Sequence, residues 1–172
     1  DIVLTEQWVY MRAQNSWLYG TFDGLGHTVK GTVFGYGVYG IFGGLTANAT
    51  VKNIGFENLI GIEASTTHHV LSGYMSGTME NVYVKGTPER APRYVKIAWS
   101  AEAKSDGIMK NCVFDVTYVG TQESVTIGGS GSSRMNVFTI GNTTDTLCTN
   151  YATQADFLAA QAENITAENK WR

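Results

Sequence analysis

The sequence predicts an all-β protein, a short parallel β-helix of about five irregular coils with a C-terminal helical segment. Three observations carry that prediction. The chain of 172 residues holds 20 glycines, two prolines and 12% aromatics, a mixture suited to short strands joined by tight turns. One line recurs: "TVKGTVF" from Thr28 matches "TVKNIGF" from Thr50, and "MENVYVKG", "MKNCVFDV" and "RMNVFTIG" follow from Met79, Met109 and Arg134. A second short apolar run stands before each later line, as "VYGIFGGL", "HHVLSGYM", "VKIAWSAEA" and "SVTIGGSG". A unit so small cannot bury its own apolar face, so it must stack on its neighbours.

Taken in order, the lines align on Gly31, Asn53, Asn81, Asn111 and Asn136, at steps of 22, 28, 30 and 25 residues. Alternation turns Val51, Ile54 and Phe56 inward, then Met79, Val82 and Val84, then Met109, Cys112 and Phe114. The asparagine breaks strict alternation, as a corner residue would. It tolerates left-handed backbone angles, and stacked amides can hydrogen-bond from coil to coil. Before the corner stand Lys30, Lys52, Glu80, Lys110 and Met135; four positions after it stand Glu57, Lys85, Asp115 and Ile140. The second column alternates in charge, which parallel in-register stacking favours. Arg134 falls where methionine or valine points inward elsewhere, and this predicts a last coil that frays or shifts.

The repeat pattern covers residues 1–142, and 143–172 reads as a polar linker and a helix. Thr153 and Asp156 have capping-box spacing, predicting a helix of about eight to ten residues from Gln154. It is expected to cover the end of the β-helix or an edge of it, because natural proteins protect exposed strand edges.

Bulk properties narrow the function. A net charge of −3 with only 16% charged residues offers no phosphate-tracking surface for nucleic acid. No apolar run approaches the roughly 18 residues of a membrane span. The first residue is Asp1 rather than methionine, which points to a processed product or a piece of something longer. Cys112 reads as a small buried hydrophobe and Cys148 lies in a polar run, so two free thiols are favoured over a disulfide. Adjacent His68 and His69 would point to opposite faces of a strand, so no metal site is expected of them, and no cofactor is implied.

The stretches "YGTFDGLGHTVKG", "YGIFGGLTANATVKNIGFENLIG" and "SGYMSGTMENVYVKGT" resemble the GLUG repeat family of bacterial surface and secreted proteins. The likeness covers about residues 1–142 and is strongest over 18–87. It implies a right-handed β-helix, an extracellular or cell-surface location, and adhesin-like company. It also makes Gly24 and Gly26 turn glycines, and His27 and Asp23 structural residues of the same turn.

The expected role is therefore a non-enzymatic adhesion, display or structural module, with neighbouring domains or subunits at the β-helix ends. Partners would be glycans or a host protein surface. Polysaccharide cleavage is the second reading. Glu57 and Asp115 share a column two coils apart, about 9.6 Å, but Lys85 between them makes an ion ladder the better account. A virion part, such as a fibre or capsid decoration, is the third. Trp8, Trp17, Tyr19 and Trp99 are candidates for stacking on sugar rings, because their apolar faces carry a polar edge.

Overall fold

The computed structural model describes residues 1–3, 17–31, 33–34, 42–61, 67–86, 94–98, 107–117, 124–126, 133–141, 145 and 147–166. Their strands are β1 (Ile2–Val3), β2 (Trp17–Leu18), β3 (Thr21–Lys30), β4 (Val33–Phe34), β5 (Phe42–Leu45), β6 (Thr50–Gly61) and β7 (Thr67–Met75). They continue as β8 (Thr78–Gly86), β9 (Tyr94–Ala98), β10 (Ile108–Val116), β11 (Ser124–Thr126), β12 (Ser133–Ile140) and β13 (Thr149–Tyr151). One helix, α1 (Gln154–Gln161), follows.

The protein is mostly β, and every pairing among the described strands is parallel. A long sheet runs β1-β3-β6-β8-β10-β12-β13, with β4 pairing the far end of β6. A second sheet runs β11-β9-β7-β5-β2. From β5 to β12 the chain passes alternately from one sheet to the other, and neither sheet closes on itself.

The inward set is buried as alternation predicts. Val51, Ile54, Phe56, Met79, Val82, Val84, Met109, Cys112 and Phe114 form one core with Leu45 and Met75 of the second sheet. Each such large side chain contributes about 1.5–3 kcal/mol by leaving water. The skipped position is a left-handed residue in every line: φ is 52° at Asn53, 53° at Asn81, 50° at Asn111 and 52° at Asn136. Asparagine reaches this region more cheaply than other residues with a Cβ.

The first line corrects the register. The repeated heptads do not stack on each other. Thr21, Phe22 and Asp23 lie opposite Thr50, Val51 and Lys52, and His27 to Lys30 lie opposite Ile54 to Glu57. Between them Gly24, Leu25 and Gly26 occupy the place of the single residue Asn53, as a bulge. Leu25 has φ 52° and Gly26 φ 74°. A Cβ at Gly24 would sit 2.5 Å from Ile54 Cβ, so only glycine fits. Gly31, with φ 77°, is not part of the corner column; its N–H bonds the Glu57 carbonyl at the other end of the strand.

With this register the charge columns become regular. One reads Asp23, Lys52, Glu80, Lys110, and Lys52 Nζ is 3.3 Å from Asp23 Oδ2. The other reads Lys30, Glu57, Lys85, Asp115, with Lys30 3.6 Å from Glu57 and Lys85 3.8 Å from Asp115.

Arg134 sits in register with Met109, as the sequence places it, and its side chain is 3% exposed. β12 nevertheless pairs with β10 from Ser133 to Ile140. The guanidinium is neutralised by Asp145, Nη1 to Oδ1 3.4 Å, whose side chain is 8% exposed. A buried charge needs such a partner.

Thr153 and Asp156 form the capping box at the start of α1. The helix buries Phe157 in a second cluster with Tyr83, Val113, Phe138 and Ile140, all on the outer face of the long sheet. Phe157 lies 5.6 Å from Phe138 and 5.5 Å from Tyr151, ring to ring. Lys85 Nζ donates to Gln154 Oε1 at 3.1 Å, which ties the first turn of the helix to the charge column.

Candidate functional site, an amide-lined groove

The corner asparagines are bound into a ladder. Asn53 Nδ2 donates to Asp23 Oδ1 at 3.1 Å, Asn81 to Asn53 Oδ1 at 2.9 Å, and Asn136 to Asn111 Oδ1 at 3.2 Å. Asp23 ends the row, because its Oδ1 also accepts the Leu25 N–H within the bulge. That hydrogen bond, then the one from Asn53, holds its carboxyl below the usual carboxylate range.

Where the ladder meets the C-terminal end of α1, a groove of about 300 Å³ opens. Asn81, Asn111 and Asn136 form one wall, Gln161, Asn164 and Thr166 the other, and Phe138 the apolar floor. The second wall is braced. Gln161 Nε2 donates to the Tyr151 hydroxyl at 2.8 Å, and its Oε1 accepts from Asn164 Nδ2 at 2.9 Å. Among the described residues, none of the lining side chains is ionisable.

Beside this groove Lys85 and Asp115 form a rung-to-rung ion pair, 3.8 Å apart. Burial raises the Asp115 carboxyl above its ordinary range, while Lys85 and then Tyr83 pull it back. Burial, and then the charges of Asp115 and Glu57, push the Tyr83 hydroxyl up. In their common column Glu57 is ion-paired with Lys30 and Asp115 with Lys85. Both cysteines are free thiols. Burial pushes each up to about 12, so neither is a ready nucleophile near neutrality. Among the described residues no group of three His, Cys, Asp or Glu side chains is placed to hold a metal ion. No described helix is long and apolar enough to cross a membrane.

The expected stacking residues are elsewhere or outside the described residues. Trp8 and Trp99 belong to the latter. Trp17 is half-buried in β2 of the second sheet, and Tyr19, 72% exposed, lies between β2 and β3. The His68 and His69 backbones lie in β7, and their side chains are outside the description. His27 is exposed in β3, just after the glycine bulge.

The ladder side of the groove was readable from the asparagine column. The opposite wall was not. Gln161 and Asn164 have the i, i+3 spacing of one helical face, yet the sequence does not say which surface that face meets. The available signal was the outward row Tyr83, Val113, Phe138, apolar in three successive lines where a solvated face should be polar. Comparison with protein-family models, curated proteins and solved structures found no match.

Proposed function

We propose that this chain is a right-handed parallel β-helix of the GLUG-repeat kind, serving outside the cell as a non-enzymatic structural and display module. The alternation of the chain between two parallel sheets supports the coil. Each crossover joins neighbouring strands of one sheet, and such connections are right-handed in nearly all proteins.

The observation that carries the functional reading is how the polar side chains of the long sheet are used. In the asparagine row Asn53, Asn81 and Asn136 each donate to the rung before, and the charge columns carry the rung-to-rung ion pairs Asp23–Lys52, Lys30–Glu57 and Lys85–Asp115. A sheet that uses its polar groups in this way is built for stiffness and repetition. The strand edges at β1 and β13 then offer places where neighbouring domains or subunits can continue the stack.

The test couples two assays on the purified chain. Beads coated with it should be retained on cell or matrix surfaces that release bare beads. Incubation with pectin, alginate, chondroitin sulfate and starch should generate no new reducing or unsaturated ends. Cleavage of any of these that disappears in Asp115→Asn would overturn the reading in favour of an enzyme. Absence of retention on every surface would remove the display role.

A further inference from the structure

We infer that the groove between the asparagine ladder and the end of α1 is a binding site for a neutral saccharide of about disaccharide length. The inference goes beyond the display reading and does not depend on it.

Its length comes from the ladder. Asn81, Asn111 and Asn136 stand on three successive strands, so the wall spans two strand spacings, about 9.6 Å. A volume of about 300 Å³ is at the lower end of small-molecule pockets. Together these describe a short trough rather than a pit, running across the strands.

Its chemistry comes from the amides. Each carboxamide carries two N–H donors and one carbonyl acceptor. The rungs from Asn81 and Asn136 each use one N–H, which leaves the second N–H of both amides outside the rung. Gln161 and Asn164 add amides on the facing wall, already oriented by their bond to each other. Groups that both donate and accept, in a row, match the hydroxyls of a sugar, which also donate and accept. Phe138 supplies the apolar strip on which the C–H face of a ring can rest.

Charge excludes the competing ligands. An anion would meet no cationic side chain among the described lining residues and would face the negative end of the α1 dipole. Calcium would find amide oxygens but, among the described lining residues, no carboxylate, the usual ligand for that ion. A neutral polyol meets neither objection, and its affinity should be insensitive to salt because no ion pair forms.

The experiment is a titration of the whole chain with cellobiose, lactose and diacetylchitobiose, each to tens of millimolar, followed by side-chain amide resonances. At least one sugar should shift the signals of Asn81, Asn111, Asn136, Gln161 and Asn164, equally in low and high sodium chloride and with or without calcium. Asn136→Gly keeps the left-handed backbone and removes the amide; it should weaken binding about tenfold, the loss of one or two hydrogen bonds. Asn164→Ala, on the other wall and outside any strand, should weaken it similarly and covers the case that the first variant misfolds. No shift with any of the three sugars overturns the inference. So does a response confined to Trp17 and Tyr19, an affinity that falls with salt, or full binding retained by both variants.

Discussion

The two faces of the long sheet are made from the same strands but follow different rules. The inner face is apolar on every rung from β6 to β10, and it packs on the second sheet. The outer face changes along the stack. Its central row reads Thr28, Gly55, Tyr83, Val113, Phe138, Thr149, and it is apolar only at the three rungs that face α1. The inner face is closed by the fold itself, whereas the outer patch depends on one short helix arriving from the C-terminal side. An error on the inner face therefore leaves a hole, while an error on the outer face lets the helix lift away.

That difference sets the largest expected effects. Phe114→Ala, on the inner face, should cost roughly 3–5 kcal/mol because the cavity cannot collapse. Phe157→Ala should cost less, about 1.5–3 kcal/mol, since undocking replaces a cavity with water. Urea unfolding measures both. Hydrogen exchange should show Phe157→Ala releasing 153–165 while β6 stays protected; equal loss in both regions would erase the distinction between the faces.

The inner face also holds a charge, the Arg134 guanidinium. Asp145→Ala removes the carboxylate beside the buried Arg134 guanidinium and should cost roughly 3–5 kcal/mol, whereas the double variant Arg134→Met/Asp145→Ala, which removes both charges and restores the methionine row, should be neutral or stabilising. Thermal melting of the two variants tests this. Destabilisation by both to the same extent would mean that the ion pair itself, rather than its neutrality, holds the last rungs.

Smaller effects belong to the corner between the faces. Asn81→Gly loses only its rung, about 0.5–1.5 kcal/mol. Asn81→Ala adds the left-handed backbone penalty of about 1–2 kcal/mol. If the two variants melt together, the positive φ carries no cost.

The smallest effect is a difference in sign between two acids. Asp23 has a lowered carboxyl in the folded state, so its contribution is present above the unfolded value near 3.8 and is lost as pH falls below it. Asp115 has a raised one, so folding holds its proton more tightly, and its contribution declines as pH rises from about that same value through the folded one. Stability curves of Asp23→Asn and Asp115→Asn followed from strongly acid to neutral pH should therefore depart from the parent in opposite directions, the first below the ordinary carboxylate value and the second above it. Departure of both the same way contradicts the account.

Much of this was legible in the sequence, for physical reasons. The inward set and the asparagine corners follow from a period of two interrupted at one fixed place, a pattern local to each line. The capping box is equally local. The first register was misleading because the strongest textual match, "TVKGTVF" to "TVKNIGF", ignores the Gly24–Gly26 bulge, which costs three residues opposite one. Arg134 looked like a flaw because its neutralising partner lies 11 residues on, in a stretch without repeat signal. The groove was half hidden for the same reason: one wall is periodic, and the other belongs to a helix whose docking face only the folded chain defines.

The central claim is that successive lines stack in parallel, offset by the bulge. A nuclear Overhauser map of the isotope-labelled chain tests it most directly. The account predicts cross-strand contacts linking Phe22 to Val51, Val51 to Met79, Met79 to Met109 and Met109 to Arg134. Contacts that set Lys30 beside Lys52, or an antiparallel pattern between any of these lines, would contradict it.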